Sequence, residues 1–216
     1  MSNSFISFES IFQPSIIPVL VLRDLDSVIP VAEVLIENGL PVIEVTLRTD
    51  IALASIKLMS ESFPEAIVGA GTVCSPDNLI SASDSGAAFV VSPGASESMY
   101  EAVIDSNLPF LPGVSTPSEI MFAREYGYKV CKFFPAEGSR GINILRMYRD
   151  VFPDIAFCPT GGVNEENLLD YLSLENVLAV AGSWIAPDSL VMVKDWHEIE
   201  QRAQHARKLV DRSLQE

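Results

Sequence analysis

Histidine is scarce in this sequence. Two occur among the 216 residues, His197 and His205, and both lie in the charged segment 193–216. Neither is near an apolar, strand-like run, which argues against a histidine-rich metal site and against a histidine general base. Proton transfer by an enzyme of this sequence must therefore rely on a carboxylate, a tyrosine, a lysine or water.

Cysteine is also rare, and its three copies form no pattern. Cys74, Cys131 and Cys158 are odd in number, far apart, and each lies in a predicted apolar strand. This arrangement fits neither a disulfide framework nor the ligand spacing of a metal site. We predict that all three are reduced core residues.

Positive charge and long apolar runs are missing as well. Lysine and arginine number 14 against 29 aspartates and glutamates, which gives a net charge of -15 and a pI of about 4.4. Such a surface repels nucleic acid and anionic membranes, so any anionic substrate must meet a local positive site. No apolar run reaches about 18 residues, and no basic region precedes an apolar core. We therefore expect no membrane span, no secretion signal and a cytoplasmic protein.

A repeat of strands and helices is present instead. Short apolar runs rich in Val, Ile and Phe recur about every 20 to 25 residues, each followed by a turn and a segment of helical periodicity. Eight strands are predicted, at 16–22, 42–47, 66–73, 87–92, 110–114, 128–134, 155–160 and 177–182. Helices are predicted between them, for example at 27–38, 51–62, 96–106, 117–126 and 142–152, with capping residues at Asp50, Ser75-Pro76 and Thr116-Pro117.

Eight such units predict an α/β fold, namely a (β/α)8 TIM barrel. The length suits a single domain over residues 1–216, with a short helix before the first strand. A doubly wound open sheet is the alternative. It needs a glycine-rich first turn to bind a nucleotide, and the first turn here, Arg23-Asp24-Leu25-Asp26, contains no glycine.

One lysine, Lys132, lies inside the apolar run Tyr128-Lys129-Val130-Cys131-Lys132-Phe133-Phe134-Pro135-Ala136. Burying an unpaired ammonium group is costly and favours the neutral amine, which attacks carbonyl carbons and forms Schiff bases. The alternative is a lysine whose stem packs against the protein while its head reaches water. The first interpretation indicates covalent chemistry on a ketone or aldehyde.

The second predicted strand alternates between apolar and polar side chains. One face, expected to pack on helices, carries Ile43, Val45 and Leu47. The other face, expected to point into the barrel, carries Glu44, Thr46 and Arg48. A mutual ion pair of Glu44 and Arg48 is the alternative to a catalytic role for these charges.

Glycines and hydroxyls collect at other strand ends. Gly69 and Gly71 lie beside Thr72 on the third strand, where we expect a ligand or a backbone segment to approach closely. Barrels commonly bind phosphate after the seventh and eighth strands through backbone N–H groups, and these loops contain Gly161, Gly162, Gly182 and Ser183. Two tight turns are the alternative there, and the segments 92–94 and 112–115 are interpreted mainly as turns.

These groups support one chemistry if the strand ends meet at one face. Lys132 forms an imine with a 2-oxo acid whose carboxylate is held by Arg48 and Thr72. The protonated imine is an electron sink that lets the adjacent C–C bond break. Glu44 moves the protons, and Phe134 provides an apolar wall beside the amine.

Six segments, taken together, point to a known family. They are Glu44-Val45-Thr46-Leu47-Arg48-Thr49, Gly69-Ala70-Gly71-Thr72-Val73, Ser92-Pro93-Gly94, Lys132-Phe133-Phe134-Pro135-Ala136-Glu137, Pro159-Thr160-Gly161-Gly162 and Gly182-Ser183-Trp184. With these segments the chain resembles the class I aldolases of 2-keto-3-deoxy-6-phosphogluconate (KDPG), many of which also cleave 4-hydroxy-2-oxoglutarate (KHG). The resemblance extends from about Pro14 to the final helix.

This resemblance implies a lyase that cleaves KDPG to pyruvate and glyceraldehyde 3-phosphate, and KHG to pyruvate and glyoxylate. It implies that Lys132 is the Schiff-base lysine and Glu44 the acid/base. The implied substrate contacts are Arg48, Thr72, Pro93, Phe134 and Thr160, and the implied phosphate contacts are Gly161, Gly162, Gly182 and Ser183. A homotrimer without metal or other cofactor is also implied.

Several alternatives stay open at this point. Arg23, at the end of the first strand, either reaches the phosphate or faces solvent, and the segment 138–141 departs from the family pattern. The galactonate epimer of KDPG is an alternative substrate. A sugar-phosphate isomerase or epimerase without a covalent lysine is a second function class, and a catalytically silent sugar-phosphate binding protein is a third.

Overall fold

The structure is a computed structural model that describes residues 15–213. The short helix predicted before the first strand lies outside these described residues. The strands are β1 Ser15–Leu20, β2 Val42–Thr46, β3 Ile67–Gly71, β4 Phe89–Val91, β5 Phe110–Leu111, β6 Gly113–Val114, β7 Val130–Phe133, β8 Ala156–Pro159 and β9 Ala179–Gly182.

Helices follow most of the strands. They are α1 Val28–Glu37, α2 Ala52–Ser62, α3 Pro76–Asp84, α4 Glu97–Ser106, α5 Pro117–Glu125, α6 Gly141–Val151, α7 Leu168–Leu172, α8 Asp188–Met192 and α9 Trp196–Ser213, with 3-10 turns at Leu25–Ser27 and Glu137–Ser139. The predicted helices are confirmed to within a residue or two at their ends. Among the described residues, no helix is both long enough and apolar enough to cross a membrane.

All strand pairings between these elements are parallel. One sheet has the order β5-β4-β3-β2-β1-β9, and a second has the order β6-β7-β8. Apart from the β1–β9 pair, each strand lies beside its neighbour in the chain. The order does not reverse partway, as it does in a doubly wound sheet, so that alternative is wrong.

The predicted fifth strand, 110–114, is interrupted at Pro112. Proline has no N–H to donate to a neighbouring strand, although the Pro112 carbonyl still accepts a hydrogen bond from Lys132 N at 2.9 Å. The strand therefore splits into β5, which pairs with β4, and β6, which pairs with β7. On the far side of the second sheet, isolated parallel bridges join Phe157 to Val177 and Thr160 to Ala181.

Buried apolar residues form two clusters, one on each face of the strands. The larger cluster contains Ile43 and Val45 of β2 together with helix residues such as Leu35 and Ile56. The smaller cluster lies on the other face, and its members include Val42 of β2. The predicted alternation is thereby confirmed, and it leaves Glu44 and Thr46 on the side of the smaller cluster, both buried.

The capping predictions hold for two helices and fail for a third. The Ser75 side chain accepts a hydrogen bond from Asn78 N, and Thr116 forms a capping box with Glu119, with proline in the first helical turn in both cases. The prediction for Asp50 is wrong. The helix α2 has Ile51 at its N-cap and no capping bond from a side chain.

The cysteine prediction needs one correction. Cys131 and Cys158 are buried, as expected, but Cys74 is exposed. It lies after β3 rather than within it, because that strand ends at Gly71. All three thiols are free.

Candidate active site

A lysine and a glutamate from opposite parts of the chain meet inside the strand layer. The Nζ atom of Lys132 on β7 lies 3.6 Å from the Oε1 atom of Glu44 on β2. The two residues are 5% and 1% exposed, so the alternative of a lysine with its head in water is wrong. Glu44 Oε1 is buried without a hydrogen-bond partner among the described residues. An ion pair that is desolvated to this degree is costly, which favours a catalytic reason for it.

Two apolar or weakly polar groups lie beside Lys132. The ring of Phe134 has its centroid 5.4 Å from Lys132 Nζ, so an aromatic ring lies beside the amine as expected. Cys158 lies in strand register with Lys132 and belongs to the smaller apolar cluster. Burial raises the pKa of the Cys158 thiol to about 12, so it remains protonated at neutral pH. Cys158, predicted from the sequence only as a core residue, lies at the site because it is in register with Lys132.

Arg48 and Thr72 are in contact, but outside the strand layer in which the sequence predicts them. Arg48 Nε donates a hydrogen bond to Thr72 Oγ1 at 3.3 Å. Both residues lie beyond the ends of their strands, and Arg48 is exposed rather than buried inside the layer. The predicted alternative of a Glu44–Arg48 ion pair is wrong, since Glu44 pairs with Lys132.

Thr72 has an unusual backbone, with φ of 60°. A β-branched residue rarely adopts this left-handed conformation, and such strain tends to occur at functional sites. Thr46 has a structural contact instead. Its hydroxyl donates to the Leu20 carbonyl at 2.9 Å and so ties β2 to β1.

The glycines of β3 make room for side chains. A Cβ atom on Gly71 would overlap the carboxylate of Glu44, and one on Gly69 would overlap the ring of Phe89. We had expected a ligand or a backbone segment at these positions, and that expectation is wrong. Gly71 is required because Glu44 lies directly over it.

The loops after β7 and β8 are joined by backbone hydrogen bonds. Ala136 N donates to Thr160 O at 2.8 Å, and Glu137 N donates to Gly161 O at 3.0 Å. Thr160 is buried, and its hydroxyl donates to Cys158 O at 3.3 Å. Pro93 lies at the same edge, where its backbone packs on Gly113.

The predicted phosphate residues lie together at this edge. Gly161 and Gly162 have φ of 93° and 86°, so they form a turn that other residues would not readily adopt. The bridge from Thr160 to Ala181 brings this turn close to Gly182 and to the exposed Ser183.

Gly182 itself is covered by the indole of Trp184, which occupies the space of a Cβ atom. The open approach that we expected at this glycine is therefore limited by Trp184.

Arg23 lies near the same loops but already has a partner. Its Nε atom donates to Asp188 Oδ2 at 2.8 Å, and about half of its side chain is exposed. The histidines play no part here. Both are exposed on α9, where His197 lies 4.0 Å from Glu200 and His205 lies 3.8 Å from Glu165.

A family model described as KDPG and KHG aldolase matches residues 9–202. The chain belongs to the KDPG and KHG aldolase family. A 2-dehydro-3-deoxy-phosphogluconate aldolase of Pseudoalteromonas atlantica is 43% identical over 205 residues, which cover 94% of this chain and 95% of that protein. A KHG/KDPG aldolase of Escherichia coli is 41% identical over 207 residues, covering 95% and 97% of the two chains.

The fold of this family member is also similar to a solved aldolase. A crystal structure of KDPG aldolase from Legionella pneumophila superposes with a TM-score of 0.89 at 39% identity, covering 92% of this chain and 97% of that one. That crystal structure holds pyruvate as a covalent carbinolamine intermediate. Membership of the family and an α/β fold with parallel sheets, both predicted from the sequence, are thereby confirmed.

Proposed function

We propose that this protein is a class I aldolase that cleaves KDPG to pyruvate and glyceraldehyde 3-phosphate, and KHG to pyruvate and glyoxylate. The observation that carries the proposal is the buried contact of 3.6 Å between Lys132 Nζ and Glu44 Oε1 in a chain of this family. Lysine is the side chain that forms imines with carbonyl substrates, and a carboxylate beside it can accept and return protons.

The reaction begins when the lysine becomes a nucleophile. Glu44 accepts a proton from the Lys132 ammonium group, and the neutral amine attacks the C2 carbonyl carbon of the substrate. The resulting carbinolamine loses its hydroxyl as water, with a proton from Glu44, and a protonated imine remains.

Cleavage follows from this imine. Glu44 accepts the proton of the C4 hydroxyl, the C3–C4 bond breaks, and its electrons move into the imine to form an enamine while the aldehyde leaves. Glu44 returns its proton to C3 of the enamine, and hydrolysis of the resulting protonated imine by water releases pyruvate and the Lys132 ammonium group. One water is expelled and one is consumed, so the lysine returns unchanged.

The other residues of the mouth hold the two ends of the substrate. In this proposal the carboxylate binds to Arg48 and Thr72, whose contact orders the guanidinium. Pro93, Phe134 and Thr160 line the pyruvate portion. The phosphate binds in the loops after β8 and β9. There it contacts backbone N–H groups of Gly161, Gly162 and Gly182 and the hydroxyl of Ser183.

We further propose that the strands form a closed (β/α)8 barrel within one domain. The shared strand at Pro112 on one side and the two bridges between the β8 and β9 segments on the other support closure. A homotrimer is inferred from the family resemblance. Free thiols agree with a cytoplasmic location.

Reduction with borohydride in the presence of pyruvate tests the proposal. An imine aldolase becomes inactivated, and mass spectrometry finds a pyruvate-derived adduct on the peptide that carries Lys132. Borohydride alone is the control and leaves activity intact. An active preparation in which that peptide stays unmodified would rule out the imine mechanism and favour an isomerase or epimerase without a covalent lysine.

Substrate ranking needs a separate assay. The rates of pyruvate release from KDPG, its galactonate epimer and KHG are compared at equal concentrations. We expect KDPG and KHG to be cleaved, and binding of sugar phosphates without any turnover would favour the silent binding protein.

A further inference from the structure

The turn at Gly161 and Gly162 is contacted directly by Asn167 and, through Glu137, by Tyr171. Two consecutive glycines give a loop many accessible conformations, and a flexible loop must be ordered before its N–H groups can bind an anion. The described structure supplies external contacts to this turn. Asn167, immediately before α7, contacts the turn itself, and Tyr171, one helical turn later, contacts Glu137 beside it.

Asn167 holds the turn directly. Its Nδ2 atom donates to the Gly162 carbonyl at 3.1 Å, and its Oδ1 atom accepts from Asn164 N at 2.8 Å. These two bonds fix the carbonyl side of the turn.

Tyr171 holds the turn through Glu137. The Tyr171 hydroxyl donates to Glu137 Oε1 at 2.5 Å, and Tyr171 is fully buried. Glu137 in turn lies against the glycines, because its backbone N–H donates to Gly161 O and a Cβ on Gly162 would lie 2.6 Å from Glu137 Cβ. The hydrogen bond from the Tyr171 hydroxyl therefore positions the Glu137 side chain against the turn.

Space for the phenol is provided by Gly141 at the start of α6. A Cβ atom there would lie 2.7 Å from the Tyr171 hydroxyl and 2.8 Å from the Ala136 carbonyl. Gly141, the last residue of the segment 138–141, is thus packed against this hydrogen bond.

We propose that Asn167 and Tyr171 are positioning residues that hold the Gly161–Gly162 turn in its phosphate-accepting shape, and that they set the preference for phosphorylated over unphosphorylated 2-oxo acids. The inference rests on the proposed function. Neither residue belongs to the Lys132–Glu44 pair, and the segment that follows Lys132 is also anchored to β6, since Phe134 N donates to Val114 O. Loss of the contacts made by Asn167 and Tyr171 should therefore weaken phosphate binding and leave the rate of the chemical step unchanged.

The test compares two substrates in two variants with matched controls. Tyr171→Phe removes only the hydroxyl, and Tyr148→Phe removes a similar hydroxyl that donates to Ser115 O at 3.1 Å elsewhere. Asn167→Ala removes the amide, and Asn38→Ala removes an amide that donates to Val34 O at 2.7 Å at the end of α1. KM and kcat are measured for KDPG and for KHG, together with competitive inhibition by inorganic phosphate.

We expect Tyr171→Phe and Asn167→Ala each to raise KM for KDPG about five- to tenfold, the effect of losing one or two hydrogen bonds. The inhibition constant of inorganic phosphate should rise by a similar factor. The kcat for KDPG and both constants for KHG should stay within about twofold of wild type, and the ratio of the two KM values should not change in the controls.

An equal rise in KM for both substrates overturns the inference, because it indicates general loosening, and so does an unchanged KM for KDPG. If Tyr171→Phe does not fold, Asn167→Ala tests the other contact on the same turn. Failure of the proposed function is separately visible, since wild-type protein would then cleave neither substrate and form no adduct at Lys132.

Discussion

Lys132 Nζ and Glu44 Oε1 lie 3.6 Å apart although their residues are separated by 88 positions in the chain (132 − 44) and stand on strands of different sheets. Both side chains are buried, and neither has another charged partner at this distance among the described residues. In the proposed mechanism the two groups exchange a proton, and a buried ion pair of this kind contributes little net stability.

Lys132→Met should abolish turnover and leave a folded protein. Methionine fits an apolar site, but it offers no nucleophile, so we expect kcat to fall at least about a thousandfold. The variant should also lose stability, about 3 to 5 kcal/mol if Glu44 stays charged without its partner. Denaturant unfolding and pyruvate-release assays measure the two effects.

The double variant Lys132→Met/Glu44→Gln separates these effects. Removing the unpaired charge should restore most of the lost free energy of unfolding without restoring activity. Retained activity in Lys132→Met would refute the assigned nucleophile. Equal unfolding free energies of the single and double variants would show that the unpaired charge on Glu44 does not destabilise the protein.

Gly71→Ala should impair catalysis by displacing Glu44. The added Cβ would overlap the Glu44 carboxylate, so the side chain must move away from Lys132. A shift of about 1 Å in a catalytic group commonly costs about a hundredfold in rate, and we expect a fall in kcat of that order. Gly94→Ala is the matched control because a Cβ there meets no atom within 4 Å. A wild-type kcat for Gly71→Ala would contradict the placement of Glu44.

The three cysteines should differ in their reaction with iodoacetamide. Cys74 is exposed and should be alkylated in the folded protein at pH 8. Cys131 and Cys158 should resist until the protein unfolds, because burial raises the pKa of each thiol to about 12. Peptide mass spectrometry reports the labelled sites, and Cys74→Ser should take up no label while folded. Rapid labelling of Cys158 in native protein would contradict its burial beside Lys132.

Asp154 should contribute to the loss of stability in acid. The hydrogen bond from Lys129, together with nearby Arg124, holds the pKa of the Asp154 carboxyl below its usual range. A lowered pKa in the folded state stabilises the protein at pH values above the pKa of the unfolded state, which is near 3.8. This stabilisation disappears as the pH falls through the pKa of the folded state.

Asp154→Asn should therefore flatten the acid limb of the curve of unfolding free energy against pH. The effect is small because the group is at the surface, and added salt should reduce it further. Asp105→Asn, on an exposed part of α4, serves as the control for the loss of one carboxylate. Identical acid limbs for wild type and Asp154→Asn would contradict the prediction.

The sequence predicts the fold of this protein well because apolar period and turn chemistry are local properties. The alternation in β2 placed Glu44 and Thr46 on the inner side, and buried Lys132 was recognisable from its apolar neighbours. The interruption at Pro112 was also encoded locally, since proline lacks an N–H, but the eight-strand count did not use it.

What the sequence does not predict depends on contacts across the fold. The partner of Glu44, the position of Cys158 beside Lys132, and the cover that Trp184 places on Gly182 all join residues from different strands or loops. Arg48 was misplaced for another reason. The strand β2 ends at Thr46, and two further residues take the guanidinium out of the alternating pattern into solvent.

The parallel pairing of β1 with β9 has a consequence for the folding of the chain during its synthesis. Residues Ser15 to Pro18 pair with Ala179 to Gly182, which lie more than 160 residues later in the chain. This edge of β1 therefore stays unpaired until β9 has been synthesised. A growing chain on the ribosome presents β1 as an open edge until that partner emerges, and such distant pairing is slow to form. Chains that end before β9 would contain Lys132 and Glu44, but the edge of β1 would remain unpaired and could pair with strands of other chains. Premature termination should thus yield aggregation rather than partial activity.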